Sequence, residues 1–151
     1  MSKTWGPHCW NLFHTLANRI KEEYFESAKE GLWSIVTNVC YNLPCPDCRM
    51  HATNLINNSK KNLILSSKRN FELFLFDFHN LVNKRKGYKI YTIEEYNSKY
   101  SNINISAVVH NFIIAFSYNP SNIRQMSDNF QRSLYLVTFK EWINLNHNKF
   151  V

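Results

Sequence analysis

Glycine is scarce in this chain, three in 151 residues, and strict apolar alternation is weak. Little is left from which to build strands and hairpins. Four cysteines, all within the first 48 positions, are too few and too closely spaced for the disulfide framework of a small secreted domain. No run approaches the ~18 consecutive apolar residues that span a bilayer, so no membrane partner is expected. The opening Met1–Trp10 stretch, MSKTWGPHCW, has no apolar core of the secretory kind. The expected compartment is therefore a reducing one, where a CxxC pair is more often catalytic or metal-binding than structural.

What is present fits one domain, long enough to bury a core without staples. The net charge is +7, but the basic residues are spread out. Only Lys60-Lys61, Lys68-Arg69 and Lys84-Arg85-Lys86 cluster, which reads as a basic surface with no nucleic-acid partner. The richness in Asn, Lys and Ile reads as the coding bias of an AT-rich genome.

Helical periodicity recurs along the chain. Trp10, His14 and Ala17 share a face of a first helix, with Leu12, Phe13, Leu16 and Ile20 beside them. Leu32, Ile35, Val36, Val39 and Leu43 mark a second helix that must end by Pro44. A third opens at Cys45-Pro46-Asp47-Cys48 and runs through Ala52, Leu55 and Ile56 to a break at Asn57-Asn58-Ser59. Phe71, Phe74, Leu75, Phe78 and Val82 give a fourth, ending near Gly87. Thr92-Ile93-Glu94-Glu95 is a capping box opening a short fifth helix. Two further helices are expected from Ile105 to Tyr118 and from Asn122 to Leu145, across an Asn119-Pro120-Ser121 turn. The expected fold is all-α: a four-helix bundle, a short fifth helix and a helical C-terminal extension.

Three clusters carry chemistry. Pro46 suits the first turn of a helix, so the helix dipole points its positive end at Cys45 and Cys48, and Arg49 adds a cation. Both effects favour thiolate over thiol, the setting of a redox-active disulfide. His79-Asn80-Leu81-Val82-Asn83 groups polar side chains on a Phe-rich helix, where each buried group needs a partner or costs ~1–3 kcal/mol. A planar heteroaromatic cofactor would supply partners; a solvated helix face is the plainer alternative. Trp5-Gly6-Pro7-His8-Cys9-Trp10 with His14 forms either a core corner or an aromatic wall for a ring system.

In series, Trp5-Gly6-x-x-x-Trp10-x-x-x-His14, Pro44-Cys45-x-x-Cys48-Arg49-x-His51 and His79-Asn80-x-Val82-Asn83-Lys84 resemble the Erv/ALR family of FAD-linked sulfhydryl oxidases. The resemblance covers roughly residues 4–100, and Leu43–Thr53 is especially similar to the short members of large DNA viruses. It implies an oxidase unit over residues 1–100, with residues 101–151 as an extension packed on the same domain or on a dimer partner. It also implies a non-covalent FAD and a dithiol substrate protein or thioredoxin-like shuttle as electron donor. O2 would be the acceptor, giving H2O2. A homodimer through the first two helices is implied too. The implied location is the host cytoplasm, with the virion a second site if the chain is viral. Cys45 would meet incoming thiols and Cys48 would lie against the flavin. Trp5, Gly6, His8, Trp10, His14, His51, His79, Asn80, Val82, Asn83, Lys84, Arg85 and Gly87 match family positions around the cofactor. The chain departs from the larger members in having no second shuttle cysteine pair and no cysteine between Tyr88 and Tyr96. Cys9 and Cys40 are expected to be buried thiols.

The competing reading is zinc. Cys40, Cys45, Cys48 and His51 offer four candidate ligands within twelve residues, as a structural or interaction module. Against it, Cys40 falls on a helix, Pro44 and Pro46 stiffen the approach, and the histidine and tryptophan clusters go unexplained.

Overall fold

Punctuation between helices fixes the architecture of the computed structural model, which describes residues 5–117 and 126–151. Helix α1, Trp5–Arg19, buries Leu12, Phe13, Leu16 and Ala17. Helix α2, Glu22–Tyr41, starts with Glu22 and Glu23 at its positive end and stops three residues before Pro44, whose pre-proline restriction on Leu43 keeps the helix from continuing. Helix α3, Pro46–Asn57, takes Pro46 in its first turn. A four-residue helix α4, Lys61–Ile64, lies where the sequence suggests only a break, since four residues carry no readable period.

Helix α5, Lys68–Lys86, starts at Ser67, whose hydroxyl accepts from the Asn70 N–H at 3.0 Å. It ends at Gly87 with φ of 73°, the left-handed conformation that costs glycine least. Bonds from Gly87 N–H to the Lys84 carbonyl and from Tyr88 N–H to the Asn83 carbonyl complete a Schellman stop. Helix α6, Ile93–Tyr100, carries the expected capping box in full: Glu95 N–H donates to the Thr92 hydroxyl at 3.2 Å, and Thr92 N–H to the Glu95 carboxylate at 3.0 Å.

Helices α7, Ile105–Ser117, and α8, Met126–Asn146, follow. The expected Asn119-Pro120-Ser121 turn, the end at Tyr118 and the start at Asn122 lie outside the described residues. Helix α1 is the hub: α5, α6, α7 and α2 all pack on it, while α3 and α8 pack on α2. Phe112, Phe116 and Phe139 join α7 to α8, with Phe112 and Phe139 ring centroids 5.0 Å apart. The chain then returns to the α1–α2 junction, where Val151 N–H donates to the Arg19 carbonyl at 2.8 Å and Lys21 N–H to the Lys149 carbonyl at 2.9 Å. The extension thus lies along α1 and α2 of its own chain.

Gly31 on α2 faces Trp142 of α8 at close range. A methyl group there would stand 2.6 Å from Cε2 of the Trp142 indole, well inside contact distance, and that ring is itself packed against Phe150. Gly31→Ala gains about 1 kcal/mol of helix propensity but incurs an overpacking cost of roughly 1–3 kcal/mol. The expected outcome is a net loss in thermal unfolding. Adding Trp142→Leu should recover part of that loss, which it would not do if the glycine served only the backbone of α2.

Candidate active site

Cys45 occupies the N-cap of α3 in extended geometry, and its sulfur accepts the Cys48 N–H at 3.2 Å. Cys48 sits one turn in and is buried. The two sulfurs therefore differ in surroundings. Cys48 lines a cavity of about 1330 Å³, whereas Cys45, half-buried, is not among the lining residues. The cavity opens between α1, α3 and the last turns of α5, with a rim from the Tyr88–Tyr91 loop and α6.

Of the residues expected around a cofactor, Trp5, Gly6, Trp10, His51, His79, Val82, Asn83, Lys84 and Arg85 line this cavity. His8, His14, Asn80 and Gly87 do not. His14 lies behind the wall, almost fully buried, with its Nε2 at 2.8 Å from His79 Nδ1. Trp10 stacks on His79 at 4.2 Å and 8° between planes, and on His14 at 5.7 Å. Asn80 grips the rim loop instead: its amide donates to the Tyr91 carbonyl at 2.9 Å and accepts the Tyr91 N–H at 3.0 Å. Gly87 ends α5, as described above.

The cation expected from Arg49 goes elsewhere. Its guanidinium donates to the Leu43 carbonyl at 2.9 Å and to Asp128 of α8 at 3.3 Å. The cation beside Cys48 is Lys86, with Nζ 3.8 Å from the sulfur. The sequence motif points to Lys84 and Arg85 as cofactor neighbours and not to Lys86. The helical stripe held the signal, since His79, Val82, Asn83 and Lys86 follow the i, i+3, i+4, i+7 spacing of one face. His51 pairs with Asp47 at 3.6 Å across one turn of α3.

The zinc reading finds no support. Among the described residues no group of three or more His, Cys, Asp or Glu side chains converges well enough to hold a metal ion. Helix α2 buries Cys40, while the start of α3 carries Cys45 and Cys48 to different surroundings. Burial pushes the Cys40 thiol up to about 12. It also raises Cys9 well above the ordinary thiol range, and neighbouring Cys40 adds to that shift. Both thiols line the cavity wall in the protonated, unreactive form.

A model of the Erv1 / Alr family matches residues 7–101. The chain belongs to the Erv1 / Alr family. An African swine fever virus member named FAD-linked sulfhydryl oxidase is 33% identical over 96 residues, covering 64% of this chain and 79% of its own. An Invertebrate iridescent virus 6 protein, also named as a FAD-linked sulfhydryl oxidase, is 36% identical over 88 residues, covering 55% of this chain and 79% of its own. No solved structure matches. The Erv1 / Alr match stops near the end of α6, so α7 and α8 lie beyond it.

The histidine pair gives this member a pH signature. Burial drives His14 well below the usual imidazole range, and the nearby His79 and Lys99 lower it further. Burial, then Lys99, brings His79 down to about 4. Both are neutral in the fold, so their stabilisation is complete above the ordinary histidine value of ~6.5 and is lost as pH falls through about 4 for His79. Thermal unfolding followed from neutral to acid pH should show a falling limb in this window. The limb should be shallower in His79→Phe, and an equally steep limb would remove the pair as its source.

Proposed function

We propose that this chain is a FAD-dependent thiol oxidase that forms disulfides in substrate proteins and delivers the electrons to O2 as H2O2. One observation carries the reading: two sulfurs one helical turn apart, Cys48 within a large cavity and Cys45 outside it. The cavity suits a dinucleotide carrying a planar ring. It exceeds the ~300–1,000 Å³ of ordinary small-molecule sites. Its walls offer the Trp10, Phe78 and His79 rings, and its rim the Lys84, Arg85, Lys89 and Lys99 cations, opposite in charge to a diphosphate. Trp10, His79, Val82 and Asn83 would hold the ring systems.

The chain's own residues perform the thiol chemistry. A substrate thiolate attacks Cys45 Sγ of the Cys45–Cys48 disulfide. A mixed disulfide forms, and the old bond's electron pair leaves on Cys48. A second substrate thiolate attacks the mixed disulfide at the substrate sulfur, so Cys45 departs as thiolate and the substrate leaves oxidised. When bound, FAD supplies a two-electron acceptor for the Cys45–Cys48 dithiol, and one that O2 reoxidises. Burial of Cys48 keeps incoming thiols on Cys45, and the raised Cys9 and Cys40 thiols stay out of the exchange.

The same reading takes residues 1–100 as the oxidase unit and 101–151 as its extension. It gives the protein a small dithiol protein or thioredoxin-like shuttle as partner at Cys45, and a homodimeric state in the host cytoplasm or virion. None of the described helices is long and apolar enough to cross a membrane.

The first measurement is the visible absorption spectrum of the purified protein, followed by dithiothreitol under air. A flavin band that bleaches and recovers while oxygen is consumed is the expected result; a colourless protein that FAD cannot reconstitute sinks the proposal. Cys45→Ser and Cys48→Ser should each abolish oxygen uptake while changing stability by no more than about 1 kcal/mol. Cys9→Ala and Cys40→Ala should retain activity.

A further inference from the structure

We propose that Lys86 is the cation that holds Cys48 as a thiolate when the disulfide opens, the role that Arg49 appears from sequence to fill. The inference rests on the oxidase reading for its consequence and on geometry for its content. Lys86 Nζ stands 3.8 Å from Cys48 Sγ, within hydrogen-bonding reach of sulfur. It arrives from the last turn of α5, with its side chain half-buried on the cavity wall.

Arg49 is unsuited to this role because two acceptors engage its guanidinium, the Leu43 carbonyl and the Asp128 carboxylate. On α3 the Asp47 carboxylate faces the His51 ring at 3.6 Å. The extension contributes Asp128, directed at Arg49, and Arg132, directed at the Asn42 carbonyl. The other thiols on the wall, Cys9 and Cys40, are protonated. Lys84 and Arg85 also line the cavity, but the lysine contact to the Cys48 sulfur is made by Lys86.

The chemistry needs a cation at this atom. When a substrate thiolate attacks Cys45 Sγ, the sulfur–sulfur bond breaks heterolytically and its electron pair remains on Cys48 Sγ. The substrate sulfur is oxidised to the mixed disulfide and Cys48 is reduced to a thiolate, with no proton taken up. An ammonium at this distance lowers the energy of that anion, which makes Cys48 the better leaving group and keeps it deprotonated for electron transfer onward. Lys86 thereby works at the buried sulfur, while the Cys48 N–H works at Cys45 through its 3.2 Å contact. Each thiolate has its own source of positive potential.

The test reads the sulfur rather than turnover. The full-length protein, as purified, is reduced with a phosphine and pulsed with iodoacetamide across a pH series. Alkylation of Cys48 is quantified by peptide mass mapping. K86M is expected to move the Cys48 midpoint to higher pH, with roughly tenfold less thiolate at neutral pH. K86R should keep it near wild type, and Cys45 should move less than Cys48. An unchanged midpoint in K86M, or an equal displacement in K86R and K86M, overturns the assignment. Since the readout needs no oxygen uptake, an active oxidase with an unchanged K86M midpoint refutes Lys86 alone. A shifted midpoint in a protein that neither binds FAD nor consumes oxygen refutes the oxidase and leaves the contact standing.

Discussion

The passage from Tyr41 to Pro46 must end one helix and begin another without leaving backbone carbonyls bare, and much of the structure is arranged around how it does so. The last carbonyls of a helix have no partner within it. Pro44 prevents α2 from continuing. The carbonyls of Asn42 and Leu43 instead receive guanidinium groups, Arg132 at 3.2 Å and Arg49 at 2.9 Å. Two arginines just beyond the negative end of α2 satisfy the acceptors of the reversal and complement the helix dipole. Once the reversal is pinned, Pro46 starts α3 with Cys45 at the cap and Cys48 one turn inside. The separation of the two sulfurs is thus a consequence of helix termination.

That capping ties the C-terminal extension to the turn that carries Cys45 and Cys48. Arg132 is among the most buried side chains of the protein, and it comes from α8. Asp128, one turn earlier, takes the outward side of Arg49. The half-buried, solvent-screened Arg49–Asp128 pair contributes little energy of its own; its effect is to keep that guanidinium at the carbonyl. The close approach at Gly31 and Trp142, and the return of Val151 to Arg19, hold the C-terminal end of α8, as Asp128 and Arg132 hold its start. A segment outside the Erv1 / Alr match therefore braces the turn that carries Cys45 and Cys48.

Sequence periodicity identifies α1, α2, α3 and α5 because each buries a stripe of large apolar residues. The capping box identifies α6 because Thr92 and Glu95 satisfy each other locally. Such signals need no knowledge of the rest of the chain. Arg49 and Asn80 were legible as polar residues in the right motifs but not in their partners. Those partners, Leu43 with Asp128 and Tyr91, depend on how segments far apart in the chain meet. Lys86 is an intermediate case: its helical stripe is local and readable, but its nearness to Cys48 depends on the packing that brings α5 beside α3. Helix α4 is too short for periodicity to register at all.

Four thiols in one small domain raise the question of why only two should exchange electrons, and electrostatics supplies the answer. The thiolate is the nucleophile and the leaving group, so a sulfur takes part only where its anion is tolerated. Cys9 and Cys40 lie within helices, where no backbone N–H is spare, and burial without a cation holds them protonated. Cys48 is also buried, yet it begins a helix and has Lys86 beside it; Cys45 has the Cys48 N–H. Burial alone would make all three buried sulfurs equivalent. What distinguishes Cys48 is its place at a helix N-terminus and the cation opposite it. The neutral histidine stack adds no positive charge to the opposite wall. Lys86 and the start of α3 thus supply positive potential where the proposed chemistry develops negative charge, and the other two sulfurs share the cavity without sharing that environment.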